Sequence, residues 1–388
     1  MNANRAVEEL KDILQTETVN PPGNEEAVAK KLETLFTEYG IETELVPHSE
    51  GRINLIATLK GDGSSDYVLG LSGHMDVVPP GDNPWDYEPF AAKEVDGQIY
   101  ARGACDMKSG LMACVIALIQ MKEEGVPLSG DVKLLASVGE EVGAVGAQQL
   151  TNEGYTEDLN ALIIAEPTNG NVTVTHKGAL WVEIICYGKT AHGSRPHKGT
   201  NAILHMNAVI NALENGRLKM DDTEDSFLGK PSFSINAIEA GGSPNMVPDM
   251  CRAVIDFRTV PSQKHEEILA EIHRLLEALK VEVPELSGEV QVLNDLPPME
   301  TAASDPFVDH LLNVLEKETG ERKEPTGMSG YTDGSQFMKS KSNFPIIIWS
   351  AINGSTAHQP NEYVEVEDYL CSIDLFKKIA ISYVGRKA

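Results

Sequence analysis

Four stretches of this chain end an apolar, β-like run on a residue that can bind a metal. His74 follows YVLGLSG, Glu140 and Glu141 follow VKLLASVG, Glu166 closes LIIA, and His358 comes shortly after PIIIWSA. In an open α/β sheet the carboxyl ends of the strands form the ligand crevice. Two imidazoles and several carboxylates converging there are the donor set of a zinc site or of a mixed nitrogen and oxygen metal site. Asp106, in YARGACDMKSG, follows a Gly-containing turn at the start of a helix and is suited to bridge a pair of metals. Asp76 cannot easily share a metal with His74 along one strand. It can accept the other imidazole N–H and so fix tautomer and orientation. Of the adjacent acids in GEEVG, one can bind metal while its neighbour takes a proton from water.

Each residue alone has an ordinary explanation. A histidine after a strand is usually a satisfied surface or core residue, and a Glu-Glu pair usually marks a solvated face or a helix N-terminus. Gathered on one sheet edge, these explanations lose their force. Most of the other histidines keep them: His205, His265, His273 and His310 fall in helical patterns and His48 in a polar loop. Cys105 beside Asp106 has no evident basic partner and reads as a small buried residue.

The elements that must position these groups alternate. Residues 4–17, 24–39 and 108–125 have helical apolar spacing, and TVNPPGNE separates the first two. The β-like runs cover 54–59, 67–73, 132–139, 162–167 and 345–351. Runs buried on both faces and alternating with helices predict an α/β fold, a sheet with helices on both sides. The middle of the chain differs. Strand-like 181–188, helical 201–215, strand-like 232–241 and 251–260, helical 264–280 and strand-like 289–295 give the order β-α-β-β-α-β of a ferredoxin-like α+β unit. It is predicted as an inserted domain at 179–293, with 1–178 and 294–388 forming one discontinuous domain.

The 388 residues are too many for one small core. A 41% hydrophobic and 23% charged composition is that of a globular protein, and a net charge of -27 disfavours nucleic acid and anionic membranes as partners. Five scattered cysteines without a C-x-x-C argue for a reducing compartment and against a structural zinc knuckle. The N-terminus lacks an apolar signal region and the longest apolar stretches fall short of a membrane span, so a cytoplasmic location is expected.

The strings SGHMDVVPPGD, DGQIYARGACDMKSGL, GEEVGAVGA, AEPT, GKTAHGSRPHKGTNA, GGSPNMVPD, YTDGSQF and AHQPNEYV run in order through nearly the whole chain. Together they resemble the M20 metallopeptidase family. The resemblance implies a zinc-peptidase-like catalytic domain, a mixed sheet flanked by helices, carrying an inserted lid that pairs two subunits into a homodimer. It implies two zinc ions, which cobalt can replace. His74 and Glu166 would hold one, Glu141 and His358 the other, with Asp106 as the bridge and a cis peptide at Asp106–Met107. It further implies Glu140 as general base, Asp76 behind the ligands, and His192 as a lid histidine that stabilises the oxyanion in the partner's site. Asn245 and Arg258 would bind a substrate carboxylate; their ordinary alternatives are a turn residue beside Pro244 and a surface ion pair.

The implied reaction is hydrolysis of a linear amide in a small N-acyl amino acid. The strings read closest to the branch that removes succinyl from diaminopimelate, followed by acetylornithine deacetylation and then by dipeptidases and aminoacylases. One departure bears on specificity: many relatives carry a G-P-G type loop before the final histidine, where this chain has AINGSTAHQP. A binding-only descendant would have no need of Glu140 and Asp76. Hydride transfer on a nucleotide-binding sheet lacks its G-x-G-x-x-G.

Overall fold

The computed structural model describes residues 1–385. In chain order, α1 (Ala3–Leu14) and α2 (Glu25–Glu38) precede β1 (Glu42–Ser49), β2 (Arg52–Leu59) and β3 (Val68–His74). Short strands β4 (Lys93–Val95) and β5 (Gln98–Tyr100) lead to α3 (Lys108–Glu123), β6 (Asp131–Ser137), α4 (Val145–Asn152), β7 (Ala161–Ile164) and β8 (Thr173–His176). Then come β9 (Gly178–Tyr187), β10 (Ala191–His192), α5 (Ala202–Glu214), β11 (Ser232–Ala240), β12 (Met246–Val247), β13 (Met250–Thr259), α6 (His265–Glu282) and β14 (Ser287–Leu296). The remaining elements are β15 (Met299–Glu300), α7 (Pro306–Thr319), β16 (Thr326–Met328), α8 (Gly334–Phe337), β17 (Ile346–Ile348), β18 (Tyr363–Glu365) and α9 (Val366–Val384). Two compact units result. One comprises Met1–Thr175, Glu300–Gly327 and the residues from Thr332 onward; the other comprises His176–Met299 with Met328–Tyr331.

The first unit is a mixed α/β structure whose sheet runs β1-β2-β6-β3-β7-β17-β8. Its centre is parallel: β6, β3, β7 and β17 point the same way, while β2 and β8 join antiparallel on either side. The parallel strands are apolar and buried along their length, as a sheet covered on both faces requires. Helix α3 is apolar nearly all round and correspondingly buried, packing on β3 and β6 beneath α1 and α9. Its close fit depends on Gly110: a Cβ there would stand 1.9 Å from the Ala165 carbonyl oxygen. A helix can therefore lie against the chain leaving β7, one residue before Glu166.

The second unit carries a four-stranded antiparallel sheet in the order β11-β13-β9-β14. Helices α5 and α6 pack on it around a core that includes Val182, Ile184, Met206, Ile255, Phe257 and Ile272. Asn201 caps α5 by accepting from the Ile203 amide at 2.9 Å.

Several expected boundaries move. The first helix stops at Leu14, and the third strand extends to include His74 itself. His48 lies on β1 rather than in a loop, its strand pairing with β2 in spite of a polar sequence. The sequence pattern had not singled out α7 or α9, although α9 buries Tyr369 and Phe376 in the core, the latter ring 5.1 Å from Trp349. Among the described residues no helix is long and apolar enough to cross a membrane. The four cysteines Cys105, Cys114, Cys186 and Cys251 are buried thiols, and Cys371 is an exposed one.

His176, at the end of β8, is fully buried, and burial lowers its imidazole to about 4. A histidine whose folded pKa is depressed stabilises the fold above its unfolded value near 6.5, and that stability is lost as pH falls toward 4. Wild-type protein should therefore lose up to about 3 kcal/mol between pH 6.5 and 4 through this group. In His176→Asn, denaturant melts at a series of pH values should show a correspondingly shallower acid limb.

Candidate metal centre

The carboxyl ends of the four parallel strands all deliver groups to one place. His74 is the last residue of β3; Glu140 and Glu141 form a single 3-10 turn three residues beyond β6; Glu166 lies two residues past β7; His358 lies ten residues past β17. The Glu140 turn is entered through Gly139, at φ +69°, where a side chain would also collide with Arg52 and Val145. His358 takes φ +62°, a left-handed conformation that costs a non-glycine residue about 1 kcal/mol or more and that recurs at functional sites. Asp106 precedes α3, and its peptide bond to Met107 is cis.

Two groups of potential ligands share one carboxylate. His74, Asp106 and Glu166 present ligand atoms within 4.8 Å of one another, and so do Asp106, Glu141 and His358. Asp106 divides its oxygens between them: Oδ1 is 3.4 Å from His74 Nε2, and Oδ2 is 3.3 Å from His358 Nε2. Glu166 Oε1 lies 3.6 Å from His74 Nε2, and Glu141 Oε1 lies 3.0 Å from His358 Nε2. Glu140, Glu141 and His74 form a third such group. The acids and imidazoles expected from the sequence thus come together at one edge of the sheet.

The environment of these atoms calls for positive charge. His74 Nδ1 lies 3.0 Å from the Asp76 carbonyl oxygen, to which its N–H donates. Its Nε2 is buried, makes no hydrogen bond, and faces two carboxylates. Only a proton or a cation reconciles that arrangement. Burial opposes charge on His74, yet Asp106 and Asp76 hold the imidazole well above its ordinary range. Hydrogen bonds to Asp106 and Glu141 raise His358 to about 10. Burial raises Glu140, Glu141 and Glu166, and neighbouring acids add to the effect. Burial pushes Asp106 the same way, but the two imidazoles overcome it and hold this carboxyl below the usual range. A crowd of buried oxygens around two imidazoles, with one carboxylate reaching both, fits a pair of divalent cations.

Asp76 does more than the sequence suggested. The nearer partner of His74 Nδ1 is its backbone carbonyl, with Oδ1 at 3.4 Å. The carboxylate instead accepts from the amides of Glu140 and Glu141 at 3.1 and 3.2 Å and from Asn20 Nδ2 at 2.9 Å. One fully buried anion therefore holds the Glu-Glu turn against the end of β3.

Sequence reasoning overlooked four participants. Asn20 sits in TVNPPGNE, where its role was masked by turn chemistry. Glu362 and Arg102 lie within recognisable strings and form a buried ion pair at 2.6 Å. Asp333, in YTDGSQF, is buried, accepts a hydrogen bond from Ser137, and is pushed up to about 6 by burial. An acid inside a matched string was the available signal for Glu362 and Asp333. Burial drives the Cys105 thiol far above the usual range, in keeping with a packing role.

The remaining expected residues lie in the second unit. Strands β10 and β12 pair His192 with Met246, and the Gly193 amide donates to the Asn245 carbonyl at 2.7 Å. His192 and Asn245 are thereby brought side by side from distant parts of the sequence. The exposed His192 ring lies 2.8 Å from Ser194 Oγ through Nδ1. Arg258 places Nε and Nη2 both 3.0 Å from Asp256 Oδ2, so an intrachain ion pair competes with any substrate carboxylate.

Fold and site together define a metal-dependent hydrolase. The chain belongs to peptidase family M20/M25/M40, whose family model matches residues 70–382. It is 33% identical over 405 residues to a Staphylococcus aureus protein named probable succinyl-diaminopimelate desuccinylase, covering 97% of each chain. It is 28% identical over 341 residues to the acetylornithine deacetylase of Myxococcus xanthus, covering 86% of this chain and 85% of that one. Among solved structures, an M20 family metallo-carboxypeptidase from Sulfolobus solfataricus superposes with a TM-score of 0.80 at 21% identity, covering 99% of both chains.

Replacing Asp76 by Ala leaves two backbone amides and the Asn20 amide without their acceptor. At about 1–3 kcal/mol per unsatisfied buried group, partly relieved by water, the variant should lose about 3 kcal/mol or more in urea unfolding. A loss below about 1 kcal/mol would show that the Glu-Glu turn holds its place without this carboxylate.

Proposed function

We propose that this chain is a di-zinc amidohydrolase, with cobalt able to replace zinc, that cleaves N-succinyl-LL-2,6-diaminopimelate to succinate and LL-2,6-diaminopimelate, a cytoplasmic step of lysine biosynthesis. The observation that carries the metal reading is the division of Asp106 between two ligand groups. His74 and Glu166 would complete one site, and Glu141 and His358 the other. A pair of cations held there supplies Lewis acidity and a water acidic enough to ionise near neutral pH. Glu140 removes the water's proton as the amide carbonyl is attacked and returns a proton to the leaving amine. Asp76 keeps Glu140 in reach by holding its turn. His192, contributed by a partner subunit of a homodimer built through the inserted domain, donates to the developing oxyanion. Asn245 and Arg258 engage the substrate carboxylate, Arg258 after exchanging its bond to Asp256.

The desuccinylase reading is supported by the Staphylococcus aureus relative, which matches over nearly the full length of both chains. Acetylornithine is the second reading, favoured by the Myxococcus xanthus relative.

A hydrolysis panel of N-succinyl-diaminopimelate, N-acetylornithine, simple N-acyl amino acids and dipeptides, each with added zinc, added cobalt or a chelator, tests the proposal. The expected result is chelator-sensitive turnover with preference for the succinyl substrate. Preference for the acetyl substrate overturns the substrate, and chelator-insensitive turnover overturns the metal mechanism. Glu140→Gln should retain both zincs while losing roughly 100-fold or more in kcat, the usual scale of general acid–base catalysis. Mixing Glu140→Gln with His192→Ala should restore part of the activity through heterodimers; no recovery argues against a shared site.

A further inference from the structure

Asp76 secures one ligand-bearing turn by accepting from two consecutive amides. Glu362 makes the same pair of bonds to the other such turn. Its Oε1 accepts from the Cys105 amide at 3.0 Å and from the Asp106 amide at 3.1 Å. Its Oε2 lies 2.6 Å from Arg102 Nη1. The guanidinium then reaches outward: Nη1 to the Gln359 carbonyl at 3.3 Å, and Nη2 to the Pro79 and Pro80 carbonyls at 3.3 and 3.4 Å. It also lies over the Trp85 ring, 5.0 Å from its centroid. Both side chains are sealed from solvent, at 1% and 0% exposure.

These contacts join three chain segments, each of which carries a ligand of the proposed centre. The Asp106 turn is held directly by Glu362. His358 lies four residues before Glu362 and next to Gln359. Pro79 and Pro80 follow the segment that bears His74 and Asp76. The backbone supports the junction, since the Ala101 amide donates to the Glu362 carbonyl at 3.0 Å and β5 pairs with β18. Glu362 makes no hydrogen bond or ion pair to a proposed ligand side chain and is sealed from solvent, so it acts through the backbone it holds and through its charge near Asp106.

We propose that Glu362, braced by Arg102, is a positioning residue that fixes the Asp106 turn and the His358 loop in one register, so that Asp106 Oδ2 and His358 Nε2 stand ready for a shared cation. The inference rests on the metal reading above. Partners behind metal ligands commonly contribute a factor of 10–100 in affinity. An anion suits this place because one oxygen must accept two amides while the other accepts a charge-assisted bond from Arg102 Nη1. Lysine in place of Arg102 would keep a charge but lose the simultaneous reach to three carbonyls.

The test is zinc stoichiometry and affinity, by chelator competition and elemental analysis, on wild type, Glu362→Gln and Arg102→Lys. Amide hydrogen exchange over residues 104–107 and 356–360 is followed in zinc-stripped protein. Glu362→Gln keeps a neutral acceptor for the two amides and should weaken both zincs unequally: the Glu141–His358 site, which loses register with both of its segments, by about 10–100-fold, and the His74–Glu166 site, which shares only Asp106, by less. Its kcat should recover at saturating zinc with KM unchanged, and both segments should exchange faster. Arg102→Lys should change in the same direction by a smaller factor, and it decides the matter if Glu362→Gln does not fold. Wild-type affinity for both zincs in a folded variant overturns the proposal. So does equal weakening of both sites accompanied by a general rise in exchange, the mark of a merely structural ion pair. Wild-type protein that binds no zinc would instead overturn the metal reading, and the exchange data would still report whether Glu362 holds these segments.

Discussion

Buried negative charge is the constraint to which the catalytic unit answers. Glu140, Glu141, Glu166 and Asp106 are gathered where β6, β3 and β7 end, and burial raises the first three. Such a group cannot ionise fully in a poorly solvated place unless positive charge is shared among its members. The two imidazoles are placed for that, each addressed by a different oxygen of Asp106. Of these four acids only Asp106 is held below its usual range, because it lies between both rings. The same crowding that burdens the fold gathers, at the edge of the sheet, the donor atoms that could hold a cation.

Holding the crowd together falls to buried polar groups around it. Asp76 accepts the amides of the Glu140 turn, and Glu362 accepts those of the Asp106 turn. Asn54 Oδ1 accepts the Val138 amide at 2.9 Å, just ahead of the Glu-Glu pair. Each of these amides would otherwise be buried without a partner, so backbone satisfaction and ligand placement are one requirement. The absence of a side chain at Gly110 serves the same end by letting α3 lie against the chain leaving β7.

In the inserted unit, the pairing of β10 with β12 brings His192 and Asn245 together within a fold whose strand order follows the ferredoxin-like pattern. Arg258 is already bonded to Asp256, itself held by the Trp181 indole at 3.1 Å. Both guanidinium contacts of Arg258 with Asp256 lie at 3.0 Å, so Arg258 is not a free anion receptor.

Much of the fold was legible in the sequence. Apolar runs buried on both faces, alternating with helical spacing, marked the parallel centre of the sheet, and the metal-type residues at the ends of those runs marked its edge. Local periodicity carries that information because a strand's exit point travels with its sequence. Less was legible where pairing is non-local. The contacts of α9 with α3, the position of His48 on a strand, and the partnership of Glu362 with Asp106 across more than 250 residues follow from tertiary packing alone. The sequence by itself determined which donor atoms are available and that most of them follow strands of one sheet. Only the tertiary structure decided that Asp106 turns one oxygen to each imidazole, that Asp76 binds a turn more closely than a ring, and that Glu362 stands behind Asp106. Those outcomes depend on how buried amides find acceptors in three dimensions, which no spacing along the chain encodes.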